Sequence, residues 1–389
     1  MNWALTIVIL VLLVLGVMFI YSACFISDDQ PVRSLYLKQA QWMTVGILCY
    51  LLFAFYDYRR LRPLAPFLYV LSVGLLFAVL IVGEEIGGSR RWLPVIPSMG
   101  IGIQPSELAK LSVILLSASL LGAVREKRAG RTAALMVVLL AALPVILVAR
   151  EPDVGTAAVF VPTVFIMLFV AGMSWKKMFL FAASASVLAG MVVTLVVYPQ
   201  RLGISNETAA TITESVGLRD YHRRRLAGFM EPGKDPLGAG WNKMQSEIAV
   251  GSGGRWGKGW RRGDQNILGY LPRSVAPTDF IYSVIAEETG FAGSAMVLFL
   301  FGLVIVFGMH TALKARDRMG RLLCAGLVTM VFSHAFVNIA MAIGCLPITG
   351  LPLPFLSYGG TFMVATMSAM GIVQSVYIRS RPRVRSLQP

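Results

Sequence analysis

The chain has 389 residues, of which 56% are hydrophobic and only 14% charged, and it carries a formal net charge of +15. A soluble protein of this length would need far more surface charge, and the short polar–apolar alternation of a membrane β-barrel is missing. The composition specifies an all-α polytopic membrane protein assembled from apolar runs near 20 residues.

In chain order, the first run covers 3–26. It is too long for a signal peptide, has no Lys or Arg ahead of it and lacks a small-x-small cleavage site, so it reads as a retained span. Further spans are expected at 37–56, 65–83, 106–124, 132–149, 155–172, 177–198, 280–313, 321–344 and 361–378, ten in all. The eighth is overlong, so 279–290 is expected to be a re-entrant or surface segment leading into it. With the N-terminus in the cytoplasm, the inward segments "DYRRLRP", "REKRAGR", "SWKK", "KARDRMGR" and the tail "RSRPRVRS" hold 17 of the 35 Lys and Arg residues, and the short outward loops are nearly bare. That asymmetry predicts both termini inside.

Between spans seven and eight lies one large extracytoplasmic loop, 199–279, with 12 Lys or Arg against 8 Asp or Glu. A loop this long crosses regardless of charge, and its basic excess points to an anionic ligand outside, with a solvated loop of paired charges as the plainer reading. The four cysteines and three histidines show no metal-binding spacing and read as buried or scattered single residues.

Three polar clusters fall on the outward side. "QPSELAKL" opens the fourth span and puts Glu107 and Lys110 three residues apart on one helical face, where a local salt bridge is the simple account. "REPDVGTA" brings Arg150, Glu151 and Asp153 to the turn between spans five and six, with Asp153 placed to cap a helix. "PTDFIYSVIAEETGF" opens the eighth span. Thr278 is the expected N-cap, with Asp279 in the first helical turn, where the helix dipole favours a carboxylate suited to act as a general base. Asp279, Ser283 and Glu287 recur every fourth residue on one face, whereas Glu288 turns away. The glycines of "GSGGRWGKGW" do not make a nucleotide loop, because neither the Gly spacing nor a following Ser or Thr is present. They read instead as letting backbone amides approach an anion, with Lys258 alongside to pair with phosphate.

Six ordered stretches carry a resemblance: "QPSELAKL", "EPDVGTA", "DPLGAGW", "QSEIAVGSGGRWGKGW", "TDFIYSVIAEETGF" and "NIAMAIGCLPITGLPLPFLSYGG". Together they resemble the SEDS family of shape, elongation, division and sporulation proteins, over about residues 1–380. Glu151 ahead of the Pro-Asp pair and a first span beginning at residue 3 are closer to its elongation branch, the RodA-like enzymes, than to the FtsW-like division branch. The resemblance implies a single SEDS-type domain over 1–389. It implies a peptidoglycan glycosyltransferase that polymerises lipid II at the outer face of the bacterial cytoplasmic membrane. A class B penicillin-binding protein and other elongation-complex membrane proteins would be its partners. It makes Asp279 the catalytic aspartate and gives Glu107, Lys110, Asp153, Arg91, Lys258, Gln245 and Glu287 as the substrate-binding candidates. The lead-in departs from the family: "LPRSVAPTDF" is two residues longer than the usual form, with Arg273 and Pro277 where Glu and His are common. No role of that Glu or His transfers to this chain.

Joining two lipid II molecules converts an α-linked donor into a β-linked product in one inverting displacement. It needs a base for the attacking hydroxyl and cations for the departing lipid diphosphate. Asp279 is the expected base, and Lys110, Arg91, Lys258 or arginines of the 199–279 loop the expected cations, with a divalent Mg or Mn ion able to share that work and no nucleotide. The rival reading is a lipid II flippase, which ten spans would also suit. The one-sided polar clusters, and no visible inverted repeat, favour the enzyme over the transporter.

Overall fold

The computed structural model describes residues 1–25, 30–86, 89–96, 101–124, 127–199, 203–215, 220–230, 239–273 and 275–380. Helices form at each of the ten expected apolar runs: α1 (Trp3–Cys24), α3 (Leu35–Phe55), α4 (Ala65–Val82), α5 (Pro105–Ala123), α6 (Lys127–Arg150), α7 (Val154–Val170), α8 (Trp175–Val197), α13 (Ile281–Lys314), α14 (Arg318–Ala342) and α15 (Gly360–Ser380). Seven are long and apolar enough to cross a membrane, and α7 is a shorter apolar helix. A short α2 (Gln30–Arg33) joins α1 to α3. The described residues of 199–279 include four helices, α9 (Asn206–Ser215), α10 (Asp220–Met230), α11 (Ala239–Ser252) and α12 (Asp264–Ile267). Its residues 200–202, 216–219, 231–238 and 274 lie outside the described set, as does most of the "DPLGAGW" motif; the basic tail beyond Ser380 does too.

Between α4 and α5 the chain forms a three-stranded antiparallel sheet, β1 (Glu84–Ile86), β2 (Ser89–Ile96) and β3 (Ile101–Ile103), a feature the apolar pattern does not announce. Large apolar side chains such as Ile81, Leu52, Phe179 and Leu313 stay exposed around the bundle, as a lipid-facing surface requires. The centre is α14, whose buried residues cover nearly its whole length and which packs on α5, α7, α13 and α15.

Helix α13 is broken as the sequence suggests, at Gly290 (φ 66°, ψ −161°). The glycine-rich loop explains how the break is held. The amides of Lys258 and Gly259 donate to the carbonyls of Glu287 and Glu288 at 3.0 Å each, while Phe291 and Ala292 donate to the carbonyls of Gly254 and Arg255 at 2.8 and 3.1 Å. The orphan groups on both sides of the interruption are thus satisfied by one loop. The glycines let the loop backbone approach this break closely. A Cβ on Gly290 would fall 2.3 Å from the Gly257 nitrogen. Gly290→Ala should therefore destabilise the fold by at least about 1–3 kcal/mol from the backbone conformation alone. Gly74→Ala, with nothing within 4 Å of the new methyl, is the control. Equal thermal midpoints for the two variants in detergent would disprove this account of the break.

Candidate active site

Asp279 does not lie inside the first turn of α13. The helix begins at Ile281 with Phe280 as its cap, and the Thr278 hydroxyl turns back to the Val275 carbonyl at 3.2 Å. The reason is local: the Val275 carbonyl accepts the amides of Thr278, Asp279 and Phe280, so the lead-in closes into its own tight turn before the helix starts. The helix dipole is correspondingly a smaller influence on this carboxylate than the sequence suggests.

Two contacts fix the backbone at Asp279 from outside that turn, and one of them also ties in the 349–358 loop. Asn338 on α14 donates its Nδ2 to the carbonyls of Asp279 (2.8 Å) and Leu351 (2.6 Å), and Ser357 Oγ donates to the Thr278 carbonyl at 2.5 Å. The side chain reaches toward Gly350, where Arg225 of α10 also arrives: an atom at the Gly350 Cβ position would be 3.5 Å from Asp279 Oδ2 and 3.6 Å from an Arg225 terminal nitrogen. Burial raises the Asp279 carboxyl above the ordinary aspartate range; the positive charges of Arg225 and Arg91 pull it back and Asp153 adds to the rise.

Asp153 caps α7, accepting from the Thr156 amide and hydroxyl at 3.0 and 2.9 Å, and the sheet brings Arg91 to within 3.7 Å of its carboxylate. Arg91 also donates to the Pro152 carbonyl. Gln104 reaches Asp153 at 3.4 Å from the start of α5. One turn into α5, Lys110 Nζ donates to Glu107 Oε1 at 2.9 Å and to His334 Nε2 of α14 at 2.7 Å, with all three side chains buried. His334 and Asn338 are four residues apart on α14, so one helical face joins the Glu107–Lys110 pair to the Asp279 turn. An apolar cavity of about 510 Å³ opens beside Gln104 and Glu107 and runs between α3, α4, α5, α14 and α15, past Trp42, Leu111 and Leu327.

Two expected site residues, Lys258 and Glu287, are engaged with each other. Lys258 binds Glu287 Oε1 at 2.7 Å and Asp264 Oδ2 at 3.0 Å, and Glu287 also accepts the Gln265 amide at 3.0 Å. This cluster ties the glycine-rich loop to α13, with no hydrogen bond or ion pair to Asp279 among the described residues. Gln245 is buried on α11, next to Ser246, which bonds Ser283 at 2.6 Å. In the other direction, Arg225, His334 and Asn338 were not singled out by the sequence. The four-residue spacing of His334 and Asn338 ahead of "CLPITG" is the signal that could have found two of them.

Glu151 is fully buried next to this cluster, and neither of its carboxyl oxygens has a hydrogen-bond partner among the described residues. Burial, with Asp153 adding to it and Arg91 opposing, pushes its carboxyl up to about 9. A carboxyl raised on folding contributes stability that is complete below the ordinary glutamate range and is lost as pH rises toward 9. Glu151→Gln should remove that dependence and raise stability by on the order of a few kcal/mol at pH 7–8. Thermal midpoints between pH 5 and 9 test it; parallel curves for variant and wild type would show that Glu151 is charged at neutral pH.

Among the described residues no three His, Cys, Asp or Glu side chains gather to hold a metal ion. A Mg²⁺ or Mn²⁺ ion brought by a phosphorylated substrate would take one or two carboxylates, such as Asp279 or Asp153, as its protein ligands.

A family model described as "cell cycle protein", spanning FtsW, RodA and SpoVE, matches residues 2–381. The Escherichia coli K12 peptidoglycan glycosyltransferase MrdB is 34% identical over 379 residues, 97% of this chain and 95% of that one. The peptidoglycan glycosyltransferase RodA of Treponema pallidum is 32% identical, covering 97% of this chain and 98% of its own. Among solved structures, a chain of a peptidoglycan synthase complex that coordinates polymerization and crosslinking superposes with a TM-score of 0.76 at 30% identity, over 97% of this chain and 98% of that one. The Thermus thermophilus rod shape-determining protein RodA superposes with a TM-score of 0.66 at 28% identity, over 98% of both chains.

Proposed function

We infer the reaction from the chain's kinship: it belongs to the cell cycle protein family of FtsW, RodA and SpoVE. It is a peptidoglycan glycosyltransferase of the elongation type. The substrate in this reading is lipid II, polymerised at the outer face of the membrane by a ten-span protein with both termini inside and 199–279 outside. The observation that carries it is Asp279, held by its backbone at the junction of α13, α14 and the 349–358 loop, with the charges of Arg225 and Arg91 acting on its carboxyl. The apolar cavity beside Glu107 gives a lipid-linked substrate a place for its chain.

Asp279 takes the proton of the acceptor hydroxyl as that oxygen attacks the donor's anomeric carbon. The anomeric bond to the diphosphate breaks with inversion, and its electron pair leaves on the lipid diphosphate. A carboxylate whose proton affinity is raised by burial is a better base than an exposed one near neutral pH. Arg225 and Arg91 supply the positive charge toward which the leaving diphosphate develops its own. Lys110 holds Glu107 and His334, and Lys258 holds Glu287 and Asp264; Arg91 and Arg225, though they also bind Asp153 and the Ile348 carbonyl, are the cations whose charge reaches Asp279. A class B penicillin-binding protein is the partner that would crosslink the strand, a pairing supported by the likeness to a chain of a synthase complex.

The test is glycan-strand synthesis from purified lipid II, with and without that partner. Polymer made by wild type is expected. No polymer under either condition, together with translocation of lipid II in sealed vesicles, would move the reading to a flippase.

A further inference from the structure

A second cavity, polar where the first is apolar, lies apart from the Asp279 cluster and shares no residue with it. It has a volume of about 340 Å³ and is lined by Tyr21 and Phe25 at the end of α1, Arg33 of α2, Tyr36 and Leu37 at the start of α3, and Arg261 of the glycine-rich loop. That volume is in the range of small-ligand sites. The Arg261 guanidinium stacks 4.1 Å from the Phe25 ring centroid and lies 5.6 Å from Tyr21 and 5.9 Å from Trp260. Tyr21 in turn packs edge-on against Tyr36 at 5.0 Å and lies 5.9 Å from Trp260. A guanidinium resting against aromatic rings is positioned to bind phosphate through two hydrogen bonds, and here its charge also reaches the buried Glu288 carboxylate. Arg261 is held there by a backbone in the left-handed region, φ 61°, which a non-glycine residue adopts only when its surroundings impose it.

We propose that this cavity binds the phosphate of an anionic phospholipid headgroup, with Arg33 and Arg261 as the phosphate ligands and Tyr21 and Tyr36 as its walls. Position favours a lipid over a free anion. The site sits at the ends of two apolar helices, and the exposed apolar residues Met18 and Leu37 lie on α1 and α3 beside it, where acyl chains would run. Tyr and Trp at such a boundary are the residues that anchor at headgroup depth. The cluster also reaches the broken helix: Ser22, next to Tyr21, donates to Glu288 at 2.5 Å, and Asn266 donates to the Ser22 carbonyl at 2.9 Å. A bound headgroup would brace the loop that holds the α13 break.

The experiment uses the full chain in detergent, titrated with dioctanoyl phosphatidylglycerol and, separately, with inorganic phosphate, with bound species counted by native mass spectrometry. The expected result is saturable lipid binding that Arg33→Gln/Arg261→Gln weakens by at least about tenfold, as loss of two charge-assisted hydrogen bonds requires. Lys176→Gln/Lys177→Gln, which removes two exposed charges near the start of α8, should leave it unchanged. Arg33→Gln alone spares the Arg261 stack and should also weaken binding, which keeps the test valid if the double variant folds poorly. Saturation by inorganic phosphate with the same arginine dependence would keep the phosphate site and assign it to the free anion. Asp28 and Asp29, which precede α2 in sequence, lie outside the described residues. If such carboxylates already satisfy the arginines, the double variant will bind lipid as wild type does, and the proposal falls. Equal weakening by the Lys176/Lys177 control would reduce the effect to general charge and overturn it as well.

Discussion

Asp279→Asn is expected to cut lipid II polymerisation by about 10²–10⁴-fold, the range for losing a positioned general base, while lipid II binding persists. The amide keeps the shape and the backbone contacts to Asn338 and Val275 but cannot accept the proton. The pH profile separates this from a loss of structure. Burial raises the Asp279 carboxyl, so wild-type activity should climb with pH along a limb lying above the ordinary aspartate range. Arg225 lowers that carboxyl, so Arg225→Gln should move the limb to higher pH as well as slow the reaction. A limb unmoved by Arg225→Gln, or an Asn variant within tenfold of wild type, would remove Asp279 from the role of base.

The sequence made the bundle legible because lipid imposes one rule on every span: about 20 apolar residues with charge at the ends. All ten runs became helices for that reason, and the overlong eighth run broke at Gly290, where the glycine-rich loop satisfies the exposed backbone. The Glu107–Lys110 pair and the Asp153 cap were also legible, since each depends on neighbours three residues away. Long-range pairing was not. Lys258 finds Glu287, 29 residues on, and Lys110 finds His334, 224 residues on, so neither could be assigned from spacing. Its place beside the glycines suggested Lys258 as a phosphate ligand; the fold also gives it two carboxylates. Arg225 went unnoticed for the same reason, being one of three adjacent arginines on α10 of which contact alone singles out the one beside Asp279.

The second large effect should come from Lys110. Lys110→Met leaves Glu107 buried with its charge partner gone, and breaking a buried pair in this way costs about 3–5 kcal/mol. Glu107→Gln is expected to be milder, because Lys110 still donates to His334 Nε2, an imidazole that then carries its own proton at Nδ1. Glu107→Gln/Lys110→Met removes both charges and should recover much of the loss of Lys110→Met, since the unpaired charge, more than the missing attraction, is what destabilises. Thermal midpoints of the four proteins in detergent complete the cycle; additive losses would mean that the pair is not coupled. Activity of the double variant then decides what the pair is for. Glu107 also borders the apolar cavity, and the pair is linked through α14 to Asn338 and so to the Asp279 backbone. A stable, inactive double variant would mean that the charges act on the substrate or on the placement of Asp279. A stable, active one would reduce them to a device for joining α5 to α14.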